Sequence, residues 1–486
     1  MQRALDALEN LIDETLSPRY NPLYCLGAIC VFFLWVLLVS GVYLFVFYKI
    51  GSPYESVKTI TENQWMIGAF FRGMHRYSAD GLVFFALLHL SREFIRGRFR
   101  HGRWTQWVTG VLTLGVIWTT GVIGYWMVWD QRSQLVAELS SKLLDYLPIF
   151  GESLSIAFTT PELVTNLFFL IALFLHLTLP VLLFIFIWLH VMRVTKPRIH
   201  PPRPVYAGVA VSLAFMAVFA PVKSLLPANT DKIISVIGID WFYLFIYPML
   251  NSAPAWLSWL TISASTAVLI AVPWIFPKKR PAPAAIKTEN CSGCAVCREE
   301  CPYSAIFIRP SGPDAGTAEV IPSRCASCGI CVGSCAFNAV DFPIKRHEDI
   351  MAEISAKVLG AGNKGPFKLF FACSHISGLD HAFAGHAGPD MRQAGLIKLP
   401  CAGMVNAGWI EYALKLGAGN VVILGCKEGA GWYRTGNTLL SERVAMLSDK
   451  DNASRVSVHL TSRLTEKTLH ERISAVNEGV RLTGDV

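Results

Sequence analysis

The sequence predicts a three-part chain: an α-helical membrane bundle of about six transmembrane helices, a ferredoxin-like α+β domain, and a C-terminal α/β domain with a mostly parallel sheet. Three observations predict it. Apolar spans near residues 24–48, 78–95, 107–128, 164–192, 205–225 and 254–276 are each about as long as a bilayer core requires. Eight cysteines then fall in two runs of one spacing between residues 291 and 335. Beyond residue 346, short β-rich runs alternate with helical stretches.

The N-terminal segment, 1–22, reads as an amphipathic surface helix. Leu5, Leu8, Ile12 and Leu16 share a face, while Asp6, Glu9, Asp13 and Glu14 lie elsewhere, before Pro18 and Pro22 stop the helix. It either lies on the membrane or packs on a subunit, and it lacks the features of a signal peptide. Residues 23–276 form the membrane domain. At 486 residues, 53% hydrophobic, the chain is membrane-embedded in part, and its net charge of +8 is concentrated in particular loops. Arg92, Arg96, Arg98, Arg100 and Arg103, then Arg193, Lys196, Arg198 and Arg203, then Lys278, Lys279 and Arg280 mark one side, whereas the loop 129–162 leans acidic. Lys and Arg collect on the cytoplasmic side during insertion, so both termini are expected there, in the inner membrane of a prokaryote. The basic charge reads as insertion signal and lipid contact, with no nucleic-acid binding.

Two histidine pairs share one spacing: His75 with His89, and His176 with His190. Fourteen residues of helix rise by roughly 21 Å and return to nearly the same face. Two such helices facing each other would hold two bis-histidine haems, with both axial positions filled and one-electron transfer as the expected chemistry. Gly27 with Gly41, and Gly110 with Gly124, repeat the spacing on neighbouring spans, where a missing Cβ lets a macrocycle approach.

These residues resemble cytochrome b of the quinol-oxidising cytochrome bc complexes over about residues 1–276. Phe71-Arg72-Gly73-Met74-His75 and Gly124-Tyr125-Trp126-Met127-Val128-Trp129-Asp130-Gln131 carry the likeness further, with Val128 where the family has proline. The resemblance implies that His75 and His176 share the outer haem b and that His89 and His190 share the inner one. It also implies a homodimer. Ile239-Asp240-Trp241-Phe242-Tyr243 resembles the Pro-Glu-Trp-Tyr motif of the outer quinol pocket, keeping the Trp. Asp240 and Trp241 are therefore candidate quinone-site residues, with Asp240 a shorter proton acceptor than Glu; the plain alternative is a solvated loop carboxylate. Arg72 and Arg92 lie within a turn of His75 and His89, where they could neutralise propionates, although Arg92 could equally be an insertion signal. Arg193 and Lys196 could hold an inner quinone or, preferably, lipid phosphate.

Residues 277–290 read as a Pro-rich linker. In 291–346, Cys291, Cys294, Cys297 and Cys301-Pro302 form C-x2-C-x2-C-x3-C-P, and Cys325, Cys328, Cys331 and Cys335 repeat the spacing with Ala336 for Pro. This is the signature of a two-cluster bacterial ferredoxin, in which the fourth Cys of each run serves the other cluster. One [4Fe-4S] cluster is then expected on Cys291, Cys294, Cys297 and Cys335, the other on Cys325, Cys328, Cys331 and Cys301. A reducing cytoplasm keeps these thiols available to iron. Cys25 and Cys30 read as buried apolar residues.

In 347–486, strands are expected at 368–372, 396–400, 421–425 and 456–460, and three of them run into cysteine: Cys373, Cys401 and Cys426. Parallel strands present their carboxyl ends at one edge, so these thiols are expected to converge. Phe371-Ala372-Cys373, Leu399-Pro400-Cys401-Ala402-Gly403 and Gly425-Cys426-Lys427-Glu428-Gly429 through Tyr433 to Gly436-Asn437 resemble the delta subunit of methyl-viologen-reducing hydrogenase, which passes electrons to a heterodisulfide-reductase flavoprotein. Ile376 and Gly431-Trp432 stand where that family has further ligands. A [2Fe-2S] cluster would need His375 as a fourth ligand; the other reading is a docking domain that has lost its cluster.

The expectation is an electron-transfer subunit of a quinol/quinone oxidoreductase. It would link the quinone pool, through two b haems and two [4Fe-4S] clusters, to a soluble flavoprotein or iron–sulfur partner. An outer Rieske or cytochrome c subunit is compatible with it, and flow in either direction is open. The alternative is a haem-bearing membrane anchor without quinone chemistry. No c-type haem motif, dinucleotide fingerprint, phosphate loop or hydrolytic triad is present.

Overall fold

The computed structural model describes residues 1–100, 103–147, 164–192, 199–230, 238, 240–277, 281–310, 316–361, 367–384, 394–427, 431–433, 435–447, 454–461, 464 and 468–469. The first helix, α1 (Gln2–Leu16), turns its acidic side inward: Glu9 and Asp13 are buried while Leu8, Leu11 and Leu16 are exposed. That is the reverse of an amphipathic helix on a water-soluble core. Asn21 locks it from below, its amide donating to Asp13 Oδ1 at 2.8 Å and to the Glu9 carbonyl at 3.1 Å.

There follow α2 (Leu26–Phe47), α3 (Pro53–Glu62), α4 (Trp65–Ile95), α5 (Trp104–Trp126), α6 (Gln131–Asp145), α7 (Asn166–Val191), α8 (Arg203–Phe219), α9 (Tyr247–Ser252) and α10 (Ala255–Ile275). Among the described residues, four helical segments are long and apolar enough to cross a membrane: Pro22–Phe47, Trp104–Trp126, Asn166–Val191 and Ala255–Ile275. The other two expected spans are different in character. One lies in α4, 31 residues long and interrupted by Arg72, Arg76, Asp80, Arg92 and Glu93; the other is α8, of 17 residues. The charges on α4 have partners, as polar groups at membrane depth require. Arg72 donates to Thr61 Oγ1 (2.7 Å) and Ser224 Oγ (2.9 Å), Arg76 pairs with Asp80 and Asp240, and Arg92 pairs with Glu9.

The expected loop 129–162 contains a helix instead. Asp130 caps α6, accepting from the Ser133 amide at 3.0 Å, while its second oxygen accepts from the Leu225 amide at 2.9 Å. An Asp followed by fifteen helical residues is the start signal that a reading by net charge overlooks. Within the bundle α2 packs along α4, and α5 along α7.

The C-terminal half starts inside the expected linker. There β1 (Ala285–Ile286) pairs antiparallel with β4 (Val340–Asp341), so the end of 277–290 belongs to the ferredoxin-like domain. Between them lie α11 (Val296–Glu299), the antiparallel pair β2 (Ile306–Pro310) and β3 (Gly316–Val320), and α12 (Ile330–Ser334). Then come α13 (His347–Gly360), β5 (Phe367–Cys373), α14 (Leu379–Ala384), β6 (Ala394–Leu399), α15 (Ala407–Lys415), β7 (Ala418–Gly425), α16 (Gly436–Ala445) and β8 (Val456–Leu460). The four last strands form a parallel sheet in the order β6-β5-β7-β8. β5 is buried along its whole length, Lys368 included, as a strand covered on both faces is.

The boundary at residue 346 is not a seam. One hydrophobic core runs from Ala284 to Leu469, with Met404 lying against Gly329. Asn406 donates to the Val332 carbonyl at 3.1 Å and the Cys335 carbonyl at 3.0 Å, and Arg443 reaches Glu300 and Ser334.

Candidate electron-transfer sites

Four helices build one cage. α4 brings His75 opposite His176 of α7, ring centroids 6.3 Å apart, and His89 opposite His190, 6.5 Å apart. Two metal–imidazole bonds of roughly 2 Å, with the half-rings behind them, fill such a spacing. The glycines oppose the histidines one to one: a Cβ on Gly41 would lie 3.2 Å from the His75 ring, on Gly27 3.6 Å from His89, on Gly124 3.0 Å from His176, and on Gly110 3.1 Å from His190. Glycine on α2 and α5 thus lets each imidazole stand directly over a neighbouring backbone. Three rings are also held from behind. Nδ1 of His75 meets Ser40 Oγ at 3.0 Å, that of His176 the Thr120 carbonyl at 3.0 Å, and that of His190 Thr109 Oγ1 at 3.2 Å. Anchoring Nδ1 leaves Nε2 for a metal. These residues fit two bis-histidine haems. Gly124→Val is expected to push the His176 ring aside and lower haem content per chain, read by the pyridine haemochrome assay.

At the His75 end, Asp240 is enclosed. Its carboxylate pairs with Arg76 (2.6 Å), accepts a short hydrogen bond from Tyr125, and accepts from the Phe242 amide at 2.8 Å. Burial opposes ionisation, but Arg76 and these hydrogen bonds hold the Asp240 carboxyl below its usual value. The solvated-loop reading of Asp240 is therefore overturned, whereas Trp241 is 73% exposed. Tyr243, which the sequence left without a role, is buried, and its hydroxyl donates to the Ala79 carbonyl at 2.9 Å.

At the His89 end the arginines clasp both α1 and the C-terminal half. Arg92 Nε donates to Glu9 at 2.9 Å and Arg96 pairs with Asp6 at 2.7 Å. Arg98 donates to the Gly431 carbonyl at 2.6 Å; Arg103 donates to the Tyr303 hydroxyl at 2.8 Å and the Trp432 carbonyl at 3.1 Å. Lys427 closes the ring on Asp13 at 2.9 Å. Charge counting alone could not separate such a clasp from an insertion signal. Arg193, Lys196, Arg198, Lys278, Lys279, Arg280, Ile239, Glu428 and Gly429 lie outside the described residues.

Two cavities in the ferredoxin-like domain gather the cysteines. One is lined by Cys291, Cys294, Cys297 and Cys335, the other by Cys301, Cys325, Cys328 and Cys331. Each takes its fourth Cys from the other run. Backbone amides point at the sulfurs, Ala318 N to Cys291 at 3.4 Å, Ala305 N to Cys301 at 3.3 Å and Ala339 N to Cys335 at 3.2 Å, the contacts that stabilise a cluster's charge. Burial and neighbouring thiolates push Cys297 up to about 11 and Cys328 and Cys331 higher. Iron bound to these sulfurs would offset that opposition to the thiolate form. The residues fit two [4Fe-4S] clusters.

At the sheet edge Cys373 ends β5, Cys426 follows β7 and Cys401 follows β6. All three are buried, and the sulfurs of Cys373 and Cys426 lie 3.4 Å apart. Cys401 is pushed up to about 12, mainly by burial, and repels Cys328 of the second cluster cavity. His375, the suggested fourth ligand, is stacked on Trp432 with centroids 4.9 Å apart. The described residues thus provide three thiols, one ligand short of a [2Fe-2S] cluster.

Residues 11–197 match the family model described as cytochrome b/b6/petB. The N-terminal part is a cytochrome b/b6 domain. Residues 290–339 match the 4Fe-4S dicluster domain, and residues 369–482 the delta subunit of methyl-viologen-reducing hydrogenase. The cytochrome b6 of Synechococcus elongatus is 29% identical over 197 residues, 40% of this chain and 91% of the relative. The cytochrome b subunit of the menaquinol:cytochrome c reductase of Geobacillus thermodenitrificans is 26% identical over 154 residues, 31% of this chain and 68% of the relative. A solved structure described as a hyperthermophilic respiratory Complex III aligns with TM-score 0.43 at 19% identity, covering 52% of this chain and 75% of that one. The cytochrome b domain is thus fused to iron–sulfur and hydrogenase-delta-like domains in the order that the motifs predict.

Proposed function

We propose that this chain is a membrane electron-transfer subunit that joins the quinone pool, through two b haems and two [4Fe-4S] clusters, to a soluble flavoprotein or iron–sulfur partner. The observation carrying this reading is the clasp: Arg98 and Arg103, nine and fourteen residues beyond His89, reach Gly431, Tyr303 and Trp432. The inner haem site and the iron–sulfur half therefore share one side of the bundle. With the basic loops cytoplasmic, that side faces the cytoplasm. His75 and His176 would then hold the outer haem b, His89 and His190 the inner one, and Asp240 and Trp241 would border an outer quinone site. In that site Asp240 is anionic at neutral pH and serves as proton acceptor once Arg76 shifts its weight to Asp80. Arg72 and Arg92 would steady propionates, and α1 would rest its exposed leucines in the lipid surface. The bound haems and clusters supply reversible one-electron steps; the protein fixes their spacing and excludes water.

Anaerobic addition of a reduced quinol analogue, following haem b absorbance and cluster EPR together, tests the relay. Haem reduction followed by cluster reduction is expected. Centres that ignore quinol yet fill from a low-potential cytoplasmic donor would reverse the direction of flow or leave only the anchor reading, which the enclosure of Asp240 by Arg76 and Tyr125 favours. Arg103→Glu is expected to slow haem-to-cluster transfer by roughly tenfold while leaving both haem spectra unchanged, since it removes a positioning contact rather than a ligand; stopped-flow absorbance reads this directly.

A further inference from the structure

We propose that Cys373 and Cys426 form a two-electron dithiol/disulfide centre at the carboxyl edge of the parallel sheet, where the related hydrogenase subunits suggest a cluster. β5 and β7 are adjacent parallel strands, paired through Ala372 and Leu424, so the two cysteines leave neighbouring strand ends. Neighbouring strands lie about 4.8 Å apart, within the Cα separations that a disulfide spans. Their sulfurs are already 3.4 Å apart and both side chains are buried. The edge between β5 and β7 is also where the strand order reverses, the position at which parallel sheets of this kind place their reactive groups.

A cluster fits the same place less well. The third thiol, Cys401, packs against Gly436 and is within electrostatic reach of Cys373 and Cys426 as well as of Cys328, but the His375 ring, the suggested fourth ligand, is stacked face to face on Trp432, which leaves the described residues one ligand short.

The chemistry balances without an outside reagent. Two S–H bonds break and one S–S bond forms; two protons leave, and two electrons pass singly to two oxidised [4Fe-4S] clusters as one-electron acceptors. Reduced clusters reverse the step. Such a centre would convert single electrons from the haems into the pairs that a flavin or hydride partner exchanges. The inference rests on the ferredoxin cysteines holding clusters, but not on any quinone site.

The test uses the full-length, cofactor-loaded protein equilibrated anaerobically across a series of thiol/disulfide redox buffers, quenched in acid, alkylated under denaturing conditions and mapped by peptide mass. Cys373 and Cys426 are expected to lose and regain alkylation together, with loss of two hydrogens from the linked peptides, while non-haem iron stays at about eight per chain. Cys426→Ser is expected to leave Cys373 alkylated in every buffer at unchanged iron, and Cys401→Ser to leave the paired behaviour intact. Two thiols that alkylate throughout the series would overturn the proposal. So would about ten non-haem irons falling to eight in Cys426→Ser, the outcome of a [2Fe-2S] cluster. Wild-type protein with far fewer than eight irons that still forms the Cys373–Cys426 disulfide would sink the cluster reading and the clusters' role as acceptors.

Discussion

His190→Ala is expected to remove one of two b haems and to slow electron delivery from a quinol analogue to the iron–sulfur clusters by on the order of a hundredfold or more. His89 and His190 face each other across 6.5 Å, and His89 alone would offer one axial ligand where the pocket is shaped for two. The pair above it, with its own Ser40 and Thr120 supports, has no contact with His190 to lose. Half the haem b absorbance should therefore persist, and quinol should still reduce it. Two haems retained in the variant, with unchanged cluster reduction, would remove the inner pair from the relay.

Asp240→Asn is expected to cut quinol oxidation by roughly a hundredfold to ten-thousandfold, the range of a lost general base, with both haem spectra unchanged. The variant stays foldable because Arg76 keeps Asp80, 3.3 Å away, and Tyr125 keeps an acceptor in the amide oxygen. The pH dependence has a definite sign. A carboxyl held below its usual 3.8 stabilises the fold above that value and loses this contribution as pH falls through its lower folded value. Between pH 5 and 8 the ionisation of free-enzyme Asp240 is complete, so any titration seen there belongs to another group or to the quinol. A variant with unaltered turnover would make the membrane half an anchor.

The parts of this molecule that repeat were the most legible in its sequence. Histidine and glycine at one spacing on four helices, and four cysteines at one spacing twice over, each impose several constraints at once, and chance rarely meets them all. The strand ending at Cys373 and those leading to Cys401 and Cys426 were equally plain because such strands read as largely apolar runs, each interrupted by no more than one lysine. What escaped was set by partners distant in the chain. The acids of α1 read as its solvent face, since nothing local announces that Arg92, Arg96 and Lys427 will cover them. Helix α6 was masked by a net-charge reading of its loop, and the two soluble regions share a core because Met404 and Asn406 reach back to Gly329 and Val332. For Asp240 the sequence left a solvated loop carboxylate open beside the quinone-site reading for the same reason: Arg76 lies 164 residues away.

The tie between Asp13 and Lys427 spans 414 residues, and that separation has a meaning in time. At the 5–20 residues per second of ribosomal synthesis, α1 emerges roughly 20–80 s before the lysine that completes its burial. Until then Asp13 waits without its lysine, and Arg98 and Arg103 without the carbonyls of Gly431 and Trp432. The last third of the chain thus acts as a clamp on the first, so a truncated or stalled product would display an unfinished acidic surface to the cell's proteases while a full-length one would hide it.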